Sequence, residues 1–174
     1  MFIRDILFTG SLTFEPNLQA MKWFAREVLP LVKQSRPDVQ LIITGDHGGN
    51  NTFGDTSISF SGYVDDIRPL IASAWISIAP IFSGGGTRLK ILEAFGLKTP
   101  VIATSKGAEG LEVQHGKHIL IADTPGAFAR ETIRLLNDAK LRAEIALNAY
   151  QLTREKYDWS VIIPDFLSLI GKVA

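Results

Sequence analysis

One stretch of the 174-residue chain concentrates side chains able to do chemistry: Gly84-Gly85-Gly86-Thr87-Arg88-Leu89-Lys90-Ile91-Leu92-Glu93. Three consecutive glycines let the backbone approach a ligand closely and turn its N–H groups toward it. They lead straight into a run with helical character. The first N–H groups of a helix are unpaired, and its positive dipole end attracts an anion. Arg88 and Lys90 fall in the first turn. The dipole disfavours cations there, so two of them point to a phosphate held between them. Glu93 sits one turn deeper, among Leu89, Ile91, Leu92, Ala94 and Phe95. Its carboxylate can accept hydrogen bonds from sugar hydroxyls. The same residues also fit an ordinary strand-to-helix turn, with Arg88 and Lys90 in water and Lys90 paired to Glu93 three positions on.

Weaker candidates surround this stretch. Gly10-Ser11-Leu12 follows an apolar run and could admit a phosphate or sugar, or merely end a strand. In Ser105-Lys106-Gly107-Ala108-Glu109-Gly110, Lys106 and Glu109 could reach a ligand, but a solvated loop fits as well. Glu109 and Glu112 read equally as helix-surface charges. His47 lies in a turn-rich polar loop over 46–55 and reads as exposed. His115 and His118 are three apart in a turn-and-strand context, with no cysteine in the chain and no paired carboxylates nearby, so no metal site is expected. No Ser-His-Asp arrangement with a nucleophile turn occurs. Neither G-x-G-x-x-G after the first strand nor G-x-x-x-x-G-K-[ST] is present, which argues against nicotinamide Rossmann and P-loop nucleotide sites. Thr9-Gly10-Ser11 lacks the acidic residues of a phosphoacceptor receiver.

The elements that must position these residues alternate. Apolar runs over 6–9, 39–44, 58–61, 75–80, 100–103 and 119–122 read as six strands. Helical spacing runs over 16–33, where Leu18, Met21, Phe24, Ala25, Val28 and Leu29 recur, and over 66–74, 88–97, 126–137, 141–156 and 160–171. Such alternation predicts crossover connections: an α/β fold, a single Rossmann-like domain with a mostly parallel six-stranded sheet covered by helices on both faces. Ligands of such sheets bind beyond the carboxyl ends of the strands, where the strand order reverses. The loops after the first and fourth strands, 10–15 and 80–87, are then expected to face one crevice.

Composition narrows the partners. Hydrophobic residues make up 46% and charged residues 21%, and 18 basic side chains balance 18 acidic ones. No basic excess calls for a nucleic acid or an anionic membrane. The absence of cysteine excludes disulfides and thiolate chemistry. The apolar runs at 75–82 and 161–170 are too short to span a bilayer. The opening Met1-Phe2-Ile3-Arg4-Asp5 lacks the features of a secretory signal, so a cytoplasmic location is expected.

At these residues the chain resembles the C-terminal half of the retaining family 4, or "group 1", glycosyltransferases of the GT-B fold. The likeness runs through Ile6-Leu7-Phe8-Thr9-Gly10-Ser11, Leu41-Ile42-Ile43-Thr44-Gly45 and Phe60-Ser61-Gly62-Tyr63-Val64. It peaks over 84–94, where G-G-G-T-R-L-K-I-L-E-A is similar to the signature of one subgroup. Pro100-Val101-Ile102-Ala103-Thr104 and Tyr157-Asp158-Trp159-Ser160 follow in the family's places. The resemblance implies a domain that binds a nucleotide-diphospho-sugar donor, with no separate cofactor. In the family's E-x7-E pair the second glutamate falls on Glu93, implied to bind ribose, and the first on Gly85, which has no carboxylate. The family's Arg and Lys after the first strand fall on Ser11 and Pro16, which leaves Arg88 and Lys90 to grip the diphosphate. Tyr63 and Val64 lie where the family holds the base. The set implied for the donor is therefore Gly10, Ser11, Tyr63, Val64, Gly84, Gly85, Gly86, Thr87, Arg88, Lys90 and Glu93.

The resemblance further implies an N-terminal acceptor domain absent from this chain, metal-free transfer with retention, and no transfer by this chain alone. Peripheral membrane contact is expected only through the absent half. The apolar face of the last helix (Ile162, Ile163, Phe166, Leu167, Ile170) is expected to pack on that half, and otherwise to fold back or to associate weakly with another copy. Two other readings stay open at this point: a stand-alone non-catalytic nucleotide-sugar-binding or regulatory module, and a non-catalytic α/β interaction domain.

Overall fold

A computed structural model describes residues 6–50 and 53–171. Met1–Asp5, and Asn51 of the polar loop, lie outside the described residues. Six short strands form the sheet: β1 (Ile6–Thr9), β2 (Leu41–Thr44), β3 (Ile58–Gly62), β4 (Ile76–Ala79), β5 (Val101–Ala103) and β6 (Leu120–Ile121). Their order is β3-β2-β1-β4-β5-β6, and every neighbouring pair is parallel. The sheet is thus wholly parallel rather than mostly so.

The strands are apolar runs because helices cover both faces, and the pleat sends alternate residues to opposite sides. Ile6 and Phe8 enter one buried cluster with Met21, Phe24, Leu29 and Phe128. Leu7 enters the other, with Ile91, Phe95, Val101 and Ala149. Helices α1 (Glu15–Trp23), α2 (Leu29–Ser35) and α5 (Pro125–Asn137) therefore lie over the first face. The second face is covered by α3 (Arg68–Ser73), α4 (Leu89–Gly96) and part of α6 (Ala139–Lys156).

The stripe over 16–33 is not one uniform helix. A π-helical turn, Phe24–Val28, joins α1 to α2, and the Leu29 N–H bonds to the Phe24 carbonyl, five residues back. Pro30 supplies the reason. It has no N–H to donate, and its ring clashes with the carbonyl four residues earlier, so the turn before it widens. The starts of α5 and of the helix after it are capped by side chains. Thr124 accepts from the Ala127 N–H at 3.4 Å and Asp138 from the Leu141 N–H at 2.9 Å.

Two expectations change. Glu109 and Glu112 lie on no helix. Both belong to the connection after β5, where Glu112 pairs with Lys156 and its N–H donates to the Tyr157 hydroxyl at 2.7 Å. The last helix, α7 (Trp159–Gly171), does not fold its apolar face back onto the domain: Trp159, Phe166 and Leu167 are 74%, 60% and 61% exposed. Among the described residues no helix is long and apolar enough to cross a membrane.

The topology places the site. Strand order reverses between β1 and β4, so α1 leaves toward one face and α4 toward the other. A crevice opens between the two loops at the carboxyl ends of these strands.

Candidate functional site

The first wall of the crevice is the turn after β1. Gly10 has φ +139°, a conformation that disfavours any side chain, and a β carbon there would lie 2.8 Å from the Asn17 amide nitrogen. Behind it, Gly45 (φ +96°) packs backbone on backbone. A β carbon at Gly45 would come within 2.9 Å of the Gly10 carbonyl carbon and the Ser11 nitrogen. The Ser11 hydroxyl braces this turn. It donates to the Asp46 carbonyl at 3.0 Å and accepts from the Thr13 N–H at 3.1 Å.

The second wall is the 83–87 loop. A β carbon on Gly84 (φ +93°) would lie 3.4 Å from the Pro16 ring at the start of α1 and 3.8 Å from the Phe14 ring in the loop after β1, so the loops after β1 and β4 meet as their positions in the sequence predict. The 104–110 loop closes behind. Gly107 leaves no room for a side chain, because its β carbon would collide with the Ala79 carbonyl oxygen. Its N–H donates to the Thr104 hydroxyl at 3.0 Å, and that hydroxyl in turn bonds the Ile81 carbonyl.

The two cations at the start of α4 go to different places. Lys90 turns inward beneath Gly10. Its ammonium donates to Asn17 Oδ1 at 2.9 Å and sits 4.0 Å above the centre of the Phe8 ring. Burial pulls its pKa down to about 7, against the opposing field of Glu93. Arg88 turns toward the 104–110 loop. Its Nε donates to the Glu109 carbonyl at 3.2 Å and its Nη2 to Glu109 Oε2 at 3.1 Å, leaving the side chain 11% exposed. The Lys106 ammonium reaches the same carboxylate oxygen at 2.5 Å. Lys106 first, and Arg88 to a lesser degree, hold the Glu109 carboxyl below the usual range.

Two depressions result. One, of about 320 Å³, is bordered by Thr9, Gly10, Tyr63, Val64, Lys90 and Glu93. The other, of about 200 Å³, is bordered by Asn17, Gly84, Gly85, Thr87, Arg88 and Lys90. Lys90 borders both. The buried Thr9 hydroxyl, beside the first, has no hydrogen-bond partner among the described residues. Buried polar groups without partners are uncommon and mark places that something else can complete. A third cavity of about 590 Å³ behind α4 is bordered by Gly86 and also by Thr87, Arg88 and Glu93, with Glu109, Tyr157 and Trp159.

Of the residues singled out in the sequence, Gly10, Tyr63, Val64, Lys90 and Glu93 therefore share one depression, and Gly84, Gly85, Thr87 and Arg88 share the next. Ser11 has its hydroxyl engaged by the loop itself. The histidines brace turns: Nδ1 of His115 accepts from the Ile121 N–H at 2.9 Å, and Nδ1 of His118 from the Gln114 N–H at 3.2 Å. His47 accepts from the Gly49 N–H at 3.2 Å. Among the described residues no three His, Cys, Asp or Glu side chains gather into a metal-binding group.

Asn17 escaped the sequence reading. It is 8% exposed, and its Nδ2 donates to the Ser11 carbonyl at 2.8 Å while its oxygen holds Lys90. A signal existed: positions 17, 21, 24 and 28 form one helical stripe, and an asparagine there is a polar residue on a core-facing line.

Comparison with known proteins yields a consistent group. A family model described as "Glycosyl transferases group 1" matches residues 3–138. A Klebsiella pneumoniae protein, described as an uncharacterized 44.6 kDa protein in the cps region, is 31% identical over 166 residues. That match covers 88% of this chain and 42% of the relative, so the chain spans less than half the relative's length. Among solved structures, the C-terminal domain of the glycosyl transferase group 1 family protein LpcC from Francisella tularensis superposes with a TM-score of 0.73 at 22% identity. It covers 89% of this chain and 86% of that one. HepE from Anabaena, crystallised with UDP-glucose, superposes with a TM-score of 0.73 at 20% identity, over 97% of this chain and 48% of that one. At these identities the structural matches carry the fold, that of one Rossmann-like half of a GT-B glycosyltransferase.

Proposed function

Because the chain belongs to the group 1 glycosyl transferases, we propose that it is the part of such an enzyme that binds the donor, a nucleotide-diphospho-sugar, in the crevice between β1 and β4. The observation that carries this reading is the position of Lys90. Lys90 borders both depressions, next to a glycine turn that has no side chain to obstruct a ligand. A diphosphate over Lys90 puts the nucleoside on the side of Tyr63, Val64 and Glu93 and the sugar on the side of Gly84, Gly85 and Arg88. Glu93 has two carboxylate oxygens to accept from ribose hydroxyls. That HepE, of the same fold, was crystallised with UDP-glucose supports the ligand class.

The chemistry follows from this placement. Transfer breaks the bond between the anomeric carbon and the diphosphate oxygen, and negative charge grows on the departing diphosphate. A fixed cation and the positive end of α4, aimed where that charge develops, lower the barrier with no metal required in this reading. Gly85 provides no carboxylate beside the sugar, so stabilisation falls on the diphosphate side. The acceptor hydroxyl must be held against the anomeric carbon, and positioning of that kind is worth ~7–11 kcal/mol. In this proposal the rest of the enzyme supplies that wall, and the chain by itself binds donor without transferring sugar. Gly85 also favours a second reading, a binding module without transferase activity. Acceptor-dependent turnover by the whole protein rejects that reading.

The test is titration with UDP, GDP and their sugar conjugates, read by melting temperature and by amide NMR. A binder specific to the folded state raises the melting temperature with concentration. Amide shifts are expected at Gly10, Tyr63, Val64 and over 84–93. Shifts confined to residues 46–50 reject the proposed placement.

A further inference from the structure

We infer that Asn17 is the positioning residue of this crevice: its side-chain amide clamps the Lys90 ammonium beneath the Gly10 turn and keeps it free of a neutralising carboxylate. Donor binding enters only in naming the anion that the ammonium receives. The coupling of Asn17 to Lys90 stands on the geometry alone.

Asn17 is buried and two-ended. Its nitrogen donates to the Ser11 carbonyl at 2.8 Å, which fixes the amide so that its oxygen faces Lys90 at 2.9 Å. The clamp thereby joins the first turn of α1, the loop after β1 and the first turn of α4, the three pieces that border the crevice. An unclamped lysine has four rotatable bonds and many rotamers to lose when a ligand orders it. Held by Asn17, it has lost that freedom before any ligand arrives.

The choice of an amide also sets the charge. The neighbours of the ammonium on the other elements are neutral: Asn17 from α1 and the Phe8 ring from β1. The charged group whose field reaches it is Glu93, from its own helix. A carboxylate at position 17 would form an ion pair and satisfy the cation. The amide orients the cation without an ion pair, so while the side chain is protonated its charge is free to meet an incoming diphosphate. Arg88, whose partner is the Glu109 carboxylate, shows the opposite arrangement a few ångströms of chain away.

The experiment uses Asn17→Ala, Asn17→Asp, Lys90→Ala and the double variant Asn17→Ala/Lys90→Ala, with melting temperatures measured for all. In ligand-free protein the Lys90 side chain is titrated by NMR on lysine-labelled samples, with Lys90→Ala assigning the signal. Asn17→Ala removes an acceptor that favours the charged ammonium, so the titration midpoint shifts to lower pH; Asn17→Asp shifts it to higher pH. UDP and GDP binding weakens about three- to tenfold in Asn17→Ala and further in Asn17→Asp, while uridine and guanosine binding is unchanged. In the Lys90→Ala background the effect of Asn17→Ala on UDP and GDP disappears. An unmoved Lys90 midpoint in both Asn17 variants, or a loss that persists undiminished without Lys90, overturns the inference. Should wild type bind neither UDP nor GDP, the donor reading falls, and the ligand-free titration still decides the role of Asn17.

Discussion

Arg88 and Lys90 leave the same turn of α4 and end in two different regions of the molecule. Around Arg88 the surroundings are acidic and structural. Its guanidinium ties the start of α4 to the 104–110 loop through both the backbone and the carboxylate of Glu109. Around Lys90 the direct contacts are neutral, and Glu93 acts on it through its field. An amide and an aromatic face hold the ammonium, and the residue borders two depressions. The contrast teaches that a cation's identity and its place on a helix do not decide its work. What decides is whether its partner cancels the charge or merely aims it.

The sharpest way to break this contrast is to remove each cation in turn and measure diphosphate binding. Lys90→Ala is expected to weaken UDP or GDP binding by about 1.5–3 kcal/mol, the range for hydrogen bonds to charged groups. The nucleosides are expected to lose little. Arg88→Ala is expected to cost the ligand clearly less. Equal losses by calorimetry would erase the distinction between the two regions.

The second test uses pH. Lys90 titrates at about 7 in the folded chain and at 10.5 as a model lysine. Between those values the unfolded chain binds the extra proton, so the Lys90 contribution to stability is least favourable below pH 7 and improves as pH rises toward 10.5. Affinity for a nucleotide sugar, whose diphosphate does not titrate in this range, runs the other way. It falls about tenfold from pH 6 to pH 8 as the ammonium is lost. Lys90→Met is expected to flatten both profiles, and Arg88→Ala to leave both slopes in place.

Stability gives the third measure. Arg88→Ala removes hydrogen bonds to Glu109, about 1 kcal/mol in all since the carboxylate stays wet, read as a lower denaturation midpoint at unchanged slope. The last measure concerns Glu93, which the proposed placement puts on the nucleoside side. Glu93→Gln leaves one acceptor oxygen in place of two, and is expected to weaken ribonucleotides more than deoxyribonucleotides by about 0.5–1.5 kcal/mol. An equal cost for both sugars would remove Glu93 from the ribose role.

Much of the architecture was legible from local pattern. The apolar runs at Ile6–Thr9 and Ile76–Ala79 are strands because a sheet covered on both faces needs both sides of each strand apolar. The triple glycine ahead of Leu89 marked the strand-to-helix turn, and the alternation of strands and helices marked the switch point. The π-helical turn at Phe24–Val28 was missed although Pro30 announced it, since a proline inside an apolar stripe changes the ladder without changing the stripe.

The destinations of the two cations were of another kind. Arg88 meets Glu109 across 21 residues of chain, and Lys90 meets Asn17 across 73. Periodicity reports which face of a helix is apolar. It carries no information on which distant loop that helix end will meet. That follows from β1 and β4 lying side by side, an outcome of packing six strands together. So the sequence by itself determined the sheet, the helices and the glycine turns at the carboxyl ends of β1 and β4. Only the tertiary structure decided that Lys90 borders the crevice held by a neutral amide while Arg88 is bound to a carboxylate, because an ion pair or a clamp forms between side chains that only folding brings within 3 Å or so of each other.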